Sequence, residues 1–409
     1  MKETERKDKT EYSDSSAGIP ETSGKTKIAA AGRELHIELL RCLAAFMVIA
    51  IHISLPNASD GELNRTALAF NIVIADAVAI FWAITGCFWF DKDQPYTKVI
   101  RNFMKNVFVP MILAVMFIMI FRGFIEGGNR YPHLSDLSGV DWKQLAAGLL
   151  TRQENWCDAT SPYWYMFEFL RLVCWWPIVH AVCRAKNGDR IVIGLIVFHF
   201  VCIAVGELGL LVGSDFIRQI PYAFLPTSLC EMLLGRTLYR NRERLRKIPL
   251  LPVLLMLLLS QGLRWLAQGK MFYRNPDEWS YLFWYSSFSF VVVTALFITA
   301  FRIPLKQDGA ASRAISFMGK YSYFVFLIHE AVICKLKGMD ILSALQNLIL
   351  NGNQTPAAGI LHYLIYYIAA TVLVYALALL PAIAAHKVYY WCVGKVSKCR
   401  GTVPAKELP

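Results

Sequence analysis

The chain of 409 residues is 56% hydrophobic and 18% charged, with a mean hydropathy of +0.41, a composition that excludes a soluble globular protein and reads as an all-α polytopic membrane bundle. The net charge of +12 does not point to nucleic acid, because the basic residues are spread over the loops between apolar runs and form no single patch. The ten cysteines include no C-x-x-C pair and support neither a metal cluster nor a disulfide framework; they read as small core residues.

Residues 1–32 mix Lys, Glu, Ser, Thr, Asp and Gly with few large apolar side chains, so a disordered cytoplasmic tail is expected. The first apolar run begins only after this tail, and no cleavable signal peptide is expected. Residues 33–386 then hold the membrane domain, and 387–409 form a second cytoplasmic tail. A helical span needs about 20 apolar residues, which predicts about ten spans, near 39–55, 67–90, 106–125, 163–183, 191–213, 220–239, 248–267, 282–301, 321–338 and 361–385. Most of the Lys and Arg fall in the segments that become cytoplasmic when both termini are inside. The run from Arg236 to Lys247 is the clearest of these, with Lys98, Arg101 and Lys105 after the second span. Such runs set topology and touch anionic membrane lipid.

The first span carries Glu38, Arg41 and His52. Eleven residues make about three helical turns, so Arg41 and His52 share one face with their Cα atoms roughly 16 Å apart along the axis. Glu38 lies on the same stripe, close enough to pair with Arg41. Ionisable groups inside a span cost about 2.5–3.5 kcal/mol each and usually face a cavity or a partner. An arginine snorkelling to head groups and a histidine satisfied between helices fit the same stretch.

Later spans add further polar groups. Asp76 precedes a run in which Thr85 and Gly86 suit close helix packing. The long outer loop, 126–162, holds Asp136, Asp141, Glu154, Asp158, Trp142 and Trp156; it reads as a surface segment, with a short helix at Asp141 to Leu150, or as a lid. Glu168 and Arg171 have the spacing of an intrahelical ion pair. His199 and Glu207 lie two turns apart on roughly one face, which suits a relay or plain helix packing. His329 and Glu330 are adjacent in the ninth span, and adjacent helical side chains diverge, so Glu330 is not expected to orient His329. No phosphate-binding Gly loop, zinc helix or nucleophile elbow is present, so no metal is assigned. His52 is the best-placed general base and His329 the second.

The segment E-L-L-R-C-L-A-A-F-M-V-I-A-I-H, the F-W-A-I-T-G-C-F run at 81–88, the basic segment from Lys98 to Pro110, the P-Y-W-Y-M-F-E-F-L-R-L run with Pro177 behind it, and G-K-Y-S-Y-F-V-F-L-I-H at 319–329 occur in the order of the membrane-bound acyltransferase family 3. The chain resembles that family from about residue 33 to 385. The resemblance implies transfer of an acyl group, commonly acetyl from acyl-CoA as co-substrate with no permanently bound cofactor, onto a hydroxyl of a cell-envelope glycan or lipid-linked sugar, by a multi-pass plasma-membrane protein. It carries an essential role onto Arg41 and His52, with Glu38 beside them as the motif's acid. Donor binding falls to Arg101 and Lys105, where many relatives have a tighter R-x-x-R pair. Trp164, Tyr165, Glu168 and His329 are expected near substrate or behind the catalytic groups. A proton-coupled exporter or flippase, or a membrane module of an envelope-synthesis complex, is the alternative for a buried Arg, His and Glu set. The acceptor sugar, acyl chain and oligomeric state are not legible in the sequence.

Overall fold

The computed structural model describes residues 34–56, 58–59, 62–120, 164–214, 225–274, 286–306, 308–350 and 359–399. Within them the regular structure is helical apart from a two-residue antiparallel pair, β1 (Ala58–Ser59) and β2 (Glu62–Leu63), with Ala58 opposite Leu63. The helices are α1 (Leu35–His52), α2 (Arg65–Ile74), α3 (Ala77–Trp89), α4 (Tyr96–Phe103), α5 (Val109–Ile120), α6 (Trp164–Arg184), α7 (Gly188–Val212), α8 (Thr227–Arg240), α9 (Arg242–Leu245), α10 (Leu250–Arg274), α11 (Ser287–Arg302), α12 (Ala310–Gly338), α13 (Ile341–Leu350) and α14 (Ile360–Cys399). The expected tail at 1–32 and outer loop at 126–162 lie outside the described residues.

Among the described residues, seven stretches are long and apolar enough to cross a membrane: 35–52, 65–89, 96–118, 164–184, 188–212, 250–274 and 360–395. The expected runs at 220–239, 282–301 and 321–338 are helical where described but do not meet that standard. Helix α8 has 14 residues and α11 has 16, against the roughly 20 that a bilayer core requires. Helix α12 has 29 residues but carries Lys320, His329, Glu330, Lys335 and Lys337 through its length. The last span also differs from expectation: α14 runs through to Cys399, so the boundary placed at 386 falls inside one helix.

Two spans are interrupted for readable reasons. The second is split at Ala75 and Asp76, where the Asp76 carboxylate accepts hydrogen bonds from Arg264 of α10 at 2.8 Å and from Ser289 of α11 at 2.6 Å. The third begins at Tyr96, earlier than the expected 106, and passes through a π-helical turn, Met104–Phe108. Pro110 follows that turn and has no N–H to donate, so a wider turn leaves the Lys105 carbonyl without its i+5 partner. The Tyr389 hydroxyl of α14 donates to that carbonyl instead.

Close packing of α3 on α8 forms the centre of the bundle. A Cβ on Gly86 would overlap the backbone of Met232, and one on Gly235 would overlap that of Ala83, so each glycine opens the space the opposite helix fills. Around this contact Trp82, Phe90 and Phe297 are fully buried. One end of the same pair is held by Arg236, 1% exposed, which binds Asp91 at 2.7 Å and Asp189 at 2.9 Å. Helix α1 packs against α3, α12 and α14, and α12 carries His329.

Candidate active site

Helix α1 supplies both ends of the site. In its first turns Glu38 is buried and accepts a 2.5 Å hydrogen bond from Arg41 Nη1. Space for that carboxylate comes from α12, where a Cβ on Gly319 would overlap Glu38 Oε2. Arg41 remains part-exposed and lines a cavity of about 170 Å³ with Thr85, Tyr165, Phe169, Tyr323 and Phe326. One guanidinium in a largely aromatic chamber suits a planar or anionic group, because Arg offers fixed donors and stacks on rings.

At the far end of α1, His52 meets α12. Its Nδ1 lies 3.4 Å from Glu330 Oε2, and its ring centroid lies 5.0 Å from that of His329. The His52 side chain is 33% exposed, while Glu330 and His329 are buried. His329 Nδ1 is 2.6 Å from the Phe326 carbonyl. A carbonyl only accepts, so Nδ1 carries the proton and Nε2 presents a lone pair. No side chain or backbone group among the described residues hydrogen-bonds that Nε2. His329 and Glu330, adjacent in the chain, both reach His52, with one donor atom from each of the three within 4.8 Å of the others. Cys334, one turn on, has its Sγ 3.8 Å from Glu330 Oε1.

The stripe deduced from helix geometry does not open as a single crevice. Among the described residues, the Arg41 cavity is not lined by His52. Phe326 stands between the two ends, lining the cavity while its ring centroid sits 5.6 Å from that of His329. A second, larger cleft of about 640 Å³ is almost wholly apolar and uses Phe46, Met47 and Ala50 of α1. Those residues project from the face of α1 opposite Arg41 and His52, so that cleft is separate from the site.

The other expected residues lie around the site and beyond it. Tyr165 stacks on Trp82 with centroids 3.9 Å apart and lines the Arg41 cavity. Trp164 borders a small void with Asp76, Glu231 and Ser289. Glu168 is engaged by Arg171 at 2.7 Å and by Ser228 at 2.6 Å, which ties α6 to α8. Arg101 lies exposed on α4, and Lys105 lies half-buried in the π turn. His199 and Glu207 do not form a relay with each other: His199 Nε2 meets Thr227 Oγ1 at 3.2 Å, whereas Glu207 accepts from the backbone and side chain of Ser287. The shared helix face was legible, but each side chain found its partner on a different neighbouring helix.

Three features escaped the sequence reading. Glu330 was set aside as a partner for His329, and its actual neighbour on α1 is far away in the chain. Arg264, 0% exposed and matched to Asp76, has no local feature that marks it as a buried partner. Arg236 was grouped with the basic topological loop, yet it is buried between Asp91 and Asp189. The residue types were visible in each case; the pairing was not.

This arrangement offers an imidazole with a carboxylate behind it, a second imidazole beside it, and an arginine-lined aromatic chamber nearby. The acyltransferase domain family matches the chain over residues 35–379. No curated protein and no solved structure matches it. The family match spans most of the chain, which therefore belongs to acyltransferase family 3.

Proposed function

We propose, on the strength of that membership, that this membrane acyltransferase moves an acyl group, acetyl in the first instance, from acyl-CoA to a hydroxyl of a cell-envelope glycan or lipid-linked sugar. The observation that carries the proposal is the His52–Glu330 pair at 3.4 Å. A carboxylate at Nδ1 holds the proton on that nitrogen and leaves Nε2 as the basic atom, the division of labour in hydrolytic triads. The acceptor hydroxyl gives its proton to His52 Nε2 as its oxygen attacks the thioester carbonyl. The tetrahedral intermediate collapses with cleavage of the C–S bond, and His52 returns the proton to the departing CoA thiolate. General-base assistance of this kind is worth roughly 10²–10⁴-fold.

Arg41, held by Glu38, is the fixed cation for the donor's phosphate or pantetheine end. Arg101 and Lys105 hold the nucleotide end, Tyr165 shapes the Arg41 chamber, and Trp164 stands behind Tyr165 in edge contact with its ring. Glu168 acts behind them by fixing α6 against α8. His329 buttresses His52 through ring contact. The reading places the chain in the plasma membrane with about ten crossings, counting α8, α11 and α12 with the seven longer apolar stretches, and with both termini in the cytoplasm.

Purified protein given acyl-CoA and an envelope glycan fraction tests this directly, with free CoA thiol and ester-linked acyl groups as the two readouts. Release of thiol together with acceptor-bound ester supports acyl transfer. Neither product from a folded preparation given both substrates defeats it.

A further inference from the structure

His52, His329 and Glu330 each offer one donor atom, and these three atoms lie within 4.8 Å of one another. A second, independent detail points to a ligand among them. His329 Nε2 is a buried lone pair that no group among the described residues hydrogen-bonds, while Nδ1 is fixed on the Phe326 carbonyl. A backbone carbonyl on the far nitrogen is the usual support for a metal-bound imidazole, because it sets the tautomer and the ring orientation.

We infer that His52, His329 and Glu330 form a binding site for a zinc-class divalent cation, and that occupancy of this site silences acyl transfer. Two imidazoles and one carboxylate are a ligand set that zinc accepts, with the fourth position left to water or a hydroxyl. The silencing half rests on the catalytic reading above. An ion on His52 Nδ1 requires that nitrogen to be unprotonated, so the proton moves to Nε2, the atom that must accept the acceptor's proton. The sequence shows no metal motif because the ligands come from α1 and α12, distant in the chain.

Detergent-purified, full-length protein with its exposed thiols alkylated, Cys174 and Cys392 among them, is titrated with Co²⁺ and followed by visible absorption. Wild type is expected to give the d–d bands of a tetrahedral or five-coordinate ion, which Zn²⁺ displaces. His329→Ala and Glu330→Gln are expected to bind Co²⁺ more weakly by about a hundredfold or more. Should the alanine variant fail to fold, His329→Gln takes its place, with a monodisperse elution profile as the criterion. No bands in wild type, or bands unchanged in both variants, overturn the site. In a parallel assay Zn²⁺ is expected to stop acyl transfer and a chelator to restore it; unchanged or increased transfer overturns the silencing. Ligand-dependent Co²⁺ binding by a protein that transfers no acyl group would uphold the site and defeat the catalytic reading alone.

Discussion

Glu330 of α12 places Oε2 3.4 Å from Nδ1 of His52, the last residue of α1. The acid is buried and the imidazole is part-exposed, so the pair has a fixed side and an approachable side. In the proposed mechanism Glu330 sets the tautomer and His52 meets the substrate, a division that this asymmetry suits.

Glu330→Gln keeps the size of the side chain and removes its charge. Acyl transfer should fall by roughly 10²–10⁴-fold, and the double variant with His52→Ala should be no slower than His52→Ala alone, because residues that act as a unit are not additive. Thiol release from acyl-CoA, measured on the three variants side by side, checks this. Losses that multiply would show that Glu330 works independently of His52.

Arg41→Lys keeps a cation on α1 but loses the fork of donors. The expected outcome is a KM for acyl-CoA raised about 10- to 100-fold, with melting in detergent close to wild type, since charge-assisted hydrogen bonds contribute about 1.5–3 kcal/mol. A fall in kcat at unchanged KM would place Arg41 at the reacting carbon rather than on the donor.

Much of this was legible in the sequence. The all-α membrane class, the shared face of Arg41 and His52, the Glu38–Arg41 pair and the close packing at Gly86 follow from composition and the 3.6-residue period. The number of long apolar crossings was not, because α8 and α11 are short and α12 is polar, and apolar runs alone do not show where a helix starts. The break at Asp76 and the satisfied carbonyl of the π turn at Met104–Phe108 depend on partners supplied by α10, α11 and α14. Long-range pairing was the general gap: Glu330 with His52, Arg264 with Asp76, and Arg236 with Asp91 and Asp189 each join segments with no local signal between them.

Asp76 and Arg264 are 1% and 0% exposed in their side chains, so breaking their pair removes the opposite charge from a buried ion. Asp76→Ala should destabilise the bundle by about 3–5 kcal/mol, whereas Asp76→Leu combined with Arg264→Met should cost much less. Thermal unfolding in detergent of the single and paired variants checks the order. A paired variant worse than either single one would mean that the charges hold more than each other.

Gly235→Ala puts a methyl group into the backbone of Ala83 across the α3–α8 contact. Overpacking of a tight interface costs about 1–3 kcal/mol or more, and a lower melting temperature with reduced membrane yield is expected. Gly194→Ala, at a position with open space around it, is the matched control and should behave as wild type.

In the proposed chemistry everything depends on His52 taking the acceptor's proton. The most direct measurement is mass spectrometry of ester-linked acyl groups on envelope glycans from cells producing wild type or His52→Ala at equal membrane levels. A defined acyl ester is expected in the wild-type sample, and its loss in the variant. Equal acylation by a His52→Ala protein that inserts normally would contradict it.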